Sequence, residues 1–138
     1  MAKRWEEETR TANWTRRLIR SVERWTECQH RRTGYYFTQF FTGHGSFGTY
    51  TLRIGKTDSD ECEMCKVADS PEHMYSDCSR WKRDRNSFKE KLGELPDLDD
   101  VVDEMLENKE IWEVTYEFIT VITRKKEIED RKKQQETR

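Results

Sequence analysis

Apolar residues in this chain recur mainly at helical spacing. Trp14, Leu18, Val22 and Trp25 stand four, four and three residues apart, which predicts one stripe of an amphipathic helix within residues 1–30. Arg16, Arg17, Arg20 and Arg24 fall on its other faces, so this first helix is basic. In residues 34–55 the spacing of Tyr36, Phe37, Phe40 and Phe41 is helical rather than alternating, and Gly43, Gly45 and Gly48 interrupt it. Two short helices hinged at Gly43 to Gly45 fit this pattern. Strands are the competing assignment, because Tyr, Phe and Thr favour pleated surfaces.

Ser70-Pro71-Glu72 reads as N-cap, N1 and N2 of a helix, since proline at N1 gives up an amide that would be unpaired anyway. Another helical run covers Ser79 to Leu92 and ends before Gly93. Pro96 and Asp97 open an acidic helix that buries Leu98, Val101, Val102, Met105 and Leu106, with Asn108 as its stop. Glu110 to about Ile128 is the last, with Trp112, Thr115, Phe118, Ile119 and Ile122 on its apolar face. The tail from 129 to 138 offers nothing to bury, and is expected to be flexible. Every long periodic segment is helical, so the expected fold is an all-α single domain over 1–138: the basic helix, the aromatic pair at 34–55, a metal-stapled loop at 58–80, and helices over 79–128.

Composition makes the staple matter. Only 33% of the 138 residues are hydrophobic, 39% are charged, and Leu, Ile, Val and Phe together number 24, a lean supply for a core. Lys plus Arg (26) nearly balances Asp plus Glu (28), and there are 16 aromatics, which favours folding over disorder. Residues 1–56 carry 11 basic and 5 acidic side chains and residues 57–138 carry 15 and 23, so the halves are +6 and −8. Within the second half, Arg80 to Lys91 is +4, Glu94 to Glu117 is −9 and Arg124 to Arg138 is +3. No stretch is apolar enough to span a bilayer and no secretory pattern opens the chain, so a nuclear or cytoplasmic protein, neither secreted nor in a membrane, is expected.

In a reducing compartment cysteines bind metal more readily than they form disulfides. Cys62-x2-Cys65-x7-His73-x4-Cys78 has the spacing of a Cys3His zinc site in CCHC order: a tight turn presents two thiolates and a second pair closes the tetrahedron. Four protein ligands leave no open position, so one zinc would be structural, contributing on the order of 10 kcal/mol to folding. Free buried cysteines or a redox Cys-x-x-Cys are the plainer alternatives, the latter lacking its usual βαβ setting. His73 and Cys78 are five apart, about 140° round an ideal helix, so a helix through His73 must distort or end before Cys78. Cys28 with His30 is a rival pair, although Cys28 continues the apolar stripe. His44, between glycines, reads as a turn residue.

The string Thr38-Gln39-Phe40-Phe41-Thr42-Gly43-His44-Gly45-Ser46-Phe47-Gly48-Thr49-Tyr50, then Arg53-Ile54-Gly55, then the finger with Glu72-His73, Cys78 and Trp81, resembles a known family. It is similar to the C-terminal region of insect non-LTR retrotransposon polyproteins, downstream of their reverse transcriptase and RNase H domains, from about Trp14 to Ile128. Tyr36 and Phe41 depart from the leucines usual there. The resemblance implies a zinc-finger accessory region that engages RNA or DNA, with Cys62, Cys65, His73 and Cys78 as zinc ligands, and an origin as an excised domain or a domesticated host gene.

Three functions follow as expectations. The first is nucleic-acid binding through Arg80, Lys82, Arg83 and Arg85 beside the finger and Arg16, Arg17, Arg20 and Arg24 on the first helix, with Trp81 or Tyr75 stacking a base. The second is a protein-interaction adaptor, using the acidic Asp97 to Glu117 surface or an apolar patch on the last helix to hold a partner or a second copy. Catalysis is the poorest fit, since no nucleophile, open metal position or phosphate-cradling loop accompanies His44, and no polymerase, endonuclease or RNase H carboxylate set is found. No small-molecule substrate is indicated. Arg124 to Lys133 has the basic character of a nuclear import signal, interleaved with acids that suit a solvated helix equally.

Overall fold

A computed structural model describes residues 13–136. They form eight α-helices and one 3-10 turn, and among them the only β pairing is an isolated antiparallel bridge between Glu61 and Ala68. The helices are α1 (residues 13–18), α2 (Val22–Glu27), α3 (Tyr35–Thr42), α4 (Gly48–Arg53), α5 (Pro71–Ser76), α6 (Lys82–Leu92), α7 (Val101–Glu107) and α8 (Lys109–Glu136), with the 3-10 turn at Ser79–Trp81. The all-α expectation holds. The long helix α8 is the spine, against which α3, α7 and α6 pack.

The basic first helix differs from expectation. It breaks after residue 18 and restarts at Val22, because the Ser21 hydroxyl accepts the Arg24 amide at 3.2 Å and so caps a new helix. The break turns Val22 outward, 69% exposed, while Leu18 stays buried and Trp14 and Trp25 pack against the core. Residues 1–12 of the predicted segment lie outside the described residues.

The aromatic segment folds as two helices, as its spacing predicts. Gly43 and Gly45, at φ 74° and 80°, take left-handed conformations that glycine adopts without a side-chain clash, and they make the hinge between α3 and α4. Trp14 Nε1 donates to the Phe40 carbonyl (2.7 Å) and Thr15 Oγ1 to that of Phe41 (2.7 Å), fastening α1 to the end of α3. Phe37 and Trp25 lie against the buried Trp112, with Phe41 packed on both, and the Trp112 Nε1 donates to the Arg32 carbonyl at 2.9 Å. Phe88 and Phe118 stack at 4.3 Å between α6 and α8.

Asn108 does more than stop α7. Its carboxamide oxygen accepts the amides of Glu110 (2.8 Å) and Ile111 (3.2 Å), so the same residue that ends one helix caps the next. The acidic helix begins later than its proline suggests, with a turn through residues 98–100 before Val101. The largest departure is at the other end, where α8 runs to Glu136 instead of stopping near Ile128. Residues 129–136 are therefore helical, held by ion pairs rather than by apolar burial.

Candidate metal centre and its surroundings

The finger begins with a tight turn. The Cys62 amide donates to the Val67 carbonyl (2.7 Å) and the Lys66 amide to that of Cys62 (2.8 Å), with Lys66 left-handed at φ 59°. This turn brings the Cys62 and Cys65 thiols to one side. The third ligand comes from α5, where Ser70 Oγ accepts the His73 amide at 3.1 Å and Pro71 occupies the first turn. The helix then ends at Ser76, and the Asp77 and Cys78 amides both donate to the His73 carbonyl, at 2.9 and 2.8 Å. Cys78 itself is extended (φ −60°, ψ 125°), which returns its thiol towards His73 and resolves the angular mismatch expected of a continuous helix.

One ligand atom from each of Cys62, Cys65, His73 and Cys78 lies within 4.8 Å of the other three, and the Cys62 and Cys78 sulfurs are 3.8 Å apart. Metal–thiolate bonds of about 2.3 Å in a tetrahedron require sulfur–sulfur edges of about 3.8 Å. The group thus has the dimensions to hold one metal ion. The surroundings of His73 and Cys65 favour the form that binds a metal. His73 Nε2 is buried without a hydrogen-bond partner, and burial holds the ring below its ordinary pKa, so it stays neutral with a lone pair to give. The Cys65 sulfur accepts from the Ser79 hydroxyl (3.4 Å) and the Ser79 amide (3.5 Å), which draws its pKa down. Burial pushes the Cys78 thiol up to about 12, so ionising it in place requires a compensating cation. An orphaned imidazole nitrogen beside three thiols is the arrangement that a metal completes.

Cys28 is half-buried against the core, and His30 Nε2 sits 2.7 Å from the Met105 carbonyl, so this pair does not converge as ligands. The ring of His44 stacks on Tyr50 at 4.4 Å, and its amide donates to Thr42 Oγ1 at 3.4 Å, a turn contact.

The predicted cationic residues divide sharply. Arg85 is only 8% exposed; its Nε donates to the Tyr75 carbonyl and its Nη2 to that of Met74, both at 2.8 Å, so it caps α5 instead of facing solvent. Trp81 is 2% exposed and Tyr75 is buried with its hydroxyl on the Pro96 carbonyl (2.7 Å), which removes both as base-stacking platforms. Arg80 pairs with Glu129 (2.8 Å) and Asp130 (3.2 Å), its guanidinium 4.8 Å from the Trp81 ring centroid. On α1, α2 and the bend between them, Arg17 reaches Glu72 (3.1 Å) and Asp99 (3.0 Å), Arg20 reaches Asp103 (2.7 Å) and the Asp99 carbonyl, and Arg24 reaches Asp103 (3.1 Å). The basic stripe and the acidic α7 region therefore neutralise one another across a span of about 80 residues. Arg16, Lys82 and Arg83 are exposed and have no ion-pair partner among the described residues.

Sequence reasoning missed a buried ionic cluster beside the finger. Lys126 Nζ, from α8, pairs with Asp69 (2.8 Å) and Asp130 (2.6 Å) and donates to the Ser46 carbonyl (2.9 Å). Asp69 also accepts the Gly48 amide at 3.0 Å, and a Cβ at Gly48 would lie 2.9 Å from the Asp60 carbonyl oxygen, so the glycine-rich turn can approach this closely only without a side chain. In the string Arg124 to Lys133 nothing marks Lys126 from its neighbours except its place on the helix.

No family model, curated protein or solved structure matches this chain. Among the described residues no helix is long and apolar enough to cross a membrane.

Proposed function

We propose that the protein is a non-catalytic module, folded around one structural zinc ion, that binds RNA or DNA through the outer face of α6. Zinc is the choice for a closed set of three thiolates and one imidazole in tetrahedral array. Its chemistry here is to hold the finger together. The surface reading is supported by what remains after internal pairing: Lys82, Arg83, Lys89 and Lys91 are exposed on the helix that follows the last ligand, and none has an ion-pair partner among the described residues. Asp84 on the same helix is engaged by Lys125 at 3.1 Å, which leaves Glu90 as the one acid opposing these cations on α6. Arg16, Arg17, Arg20, Arg24, Arg80 and Arg85 are not needed for this surface. The adaptor alternative draws less support, since Trp112, Phe118 and Ile122 are buried and Asp99 and Asp103 of the acidic segment are bound to Arg17, Arg20 and Arg24.

Fluorescence anisotropy of the zinc-loaded protein against short single- and double-stranded RNA and DNA, at low and physiological salt, tests this. Binding should weaken steeply with salt, and K82E/R83E should abolish it or lower the salt slope by about 1.5, the loss of two phosphate contacts. Arg85 is unsuitable as a control, being structural. Equal binding by K82E/R83E, or none by the parent to any of the four probes, would discard the reading.

A further inference from the structure

Lys126 is 1% exposed, and its three N–H donors meet three acceptors, the carboxylates of Asp69 and Asp130 and the carbonyl of Ser46. The two carboxylates lead to opposite ends of the finger. Asp69 immediately precedes Ser70, the N-cap of the helix that carries His73, and its amide donates to the Asp60 carbonyl at 2.6 Å, just ahead of Cys62. Asp130 also pairs with Arg80, two residues beyond Cys78. One ammonium and one carboxylate on adjacent turns of α8 therefore grip the chain entering and leaving the ligand set.

We propose that Lys126 and Asp130 are positioning residues for the metal centre, so that metal affinity depends on a helix supplying no ligand, and that the bound ion in turn orders the last turns of α8. The proposal rests on the zinc reading above, but not on nucleic-acid binding. Outer groups that orient metal ligands affect metal affinity by about 10–100-fold. Binding linkage is reciprocal: if the clasp favours the metal-competent arrangement, metal favours the clasp. Residues 129–136 carry no apolar side chain, and Lys133 meets Glu63 between Cys62 and Cys65 at 2.5 Å, so the finger itself is part of what holds those turns and the coupling would be visible there.

The experiment is a zinc competition titration against a chromophoric chelator, with folding followed by circular dichroism. K126M leaves the buried Asp69 carboxylate without its cation, whereas Asp130 keeps Arg80, so K126M/D69N is the informative variant: it removes the uncompensated charge at Asp69 while an amide oxygen can still accept from Gly48. V102A, a buried truncation in α7 distant in sequence from the finger, controls for general loss of stability. The expected result is a folded K126M/D69N that binds zinc at least tenfold more weakly than the parent, with V102A within about twofold. Equal zinc affinity in parent and K126M/D69N, or equal weakening in V102A, overturns the proposal. Hydrogen exchange of the unaltered protein provides a test that no folding failure can obscure. Chelation should accelerate exchange across residues 124–136, and unchanged exchange there would sink the coupling while leaving the zinc site intact. A parent protein that takes up no zinc would overturn both this proposal and the zinc reading beneath it.

Discussion

Arg83 and Arg85 are two residues apart on one helix and have different physical roles. The Arg85 guanidinium is withdrawn from water to satisfy the carbonyls of Met74 and Tyr75 at the end of α5, and burial lowers its pKa. Its removal would orphan those carbonyls and leave a cavity beside the His73 helix. Arg85→Ala should therefore cost about 2–4 kcal/mol in urea denaturation, whereas Arg83→Ala should stay within about 0.5 kcal/mol. Cys78 separates geometry from chemistry in a similar way. A serine there would fill nearly the same space but supply a poor ligand, so C78S should release zinc into a chelator assay while the aromatic core around Phe88 and Phe118 retains its packing.

The helices owe little to intrinsic propensity and much to caps and neighbours. α5 has only six residues, too short to persist alone, yet Ser70 caps its start and Arg85 its end. α8 shows the same dependence over a greater length. Its apolar face ends at Ile122, and beyond that point Lys125, Lys126, Asp130 and Lys133 reach Asp84, Asp69, Arg80 and Glu63. Exposed pairs of this kind contribute about 0.2–1 kcal/mol each, but Lys126 is buried and its loss of Asp130 would be more costly. Truncation after Ile128 should consequently destabilise the folded protein by about 2 kcal/mol or more, measured as a lowered urea midpoint, rather than trimming an inert tail. An unchanged midpoint would show that the C-terminal turns are only decoration.

Across the molecule, opposite charges that are distant in sequence meet. The α1–α2 arginines close on Asp99 and Asp103, so the charged halves of the chain do not present two opposed faces to partners. The candidate metal site sits where the glycine-rich turn, α5 and the end of α8 converge, and beside so lean a core the contribution of a bound ion would be large. Chelation of the zinc-loaded protein should unfold residues 58–80 at least and lower the midpoint of thermal unfolding for the whole domain. Added zinc in excess should restore it. A thermal midpoint insensitive to chelator would mean that the four ligands are packed as an ordinary core.

The helices, the hinge at Gly43 to Gly45 and the four side chains that converge into a possible metal site were legible in the sequence because each is written in local spacing: periods of three and four, a glycine where φ must be positive, a two-residue gap between thiols. The break at Ser21 was less so, because a hydroxyl that caps a helix competes with one that merely sits on it, and spacing does not separate the two. Which charges face water was decided only by the tertiary structure. Arg80, Arg85 and Lys126 belong to runs whose composition matches that of solvated neighbours, and apart from Asp130, four residues from Lys126, their partners stand between 10 and 80 residues away. Local pattern determines which backbone and which ligand set can form, whereas the fate of an ionisable side chain depends on desolvation and on the partner the fold brings to it.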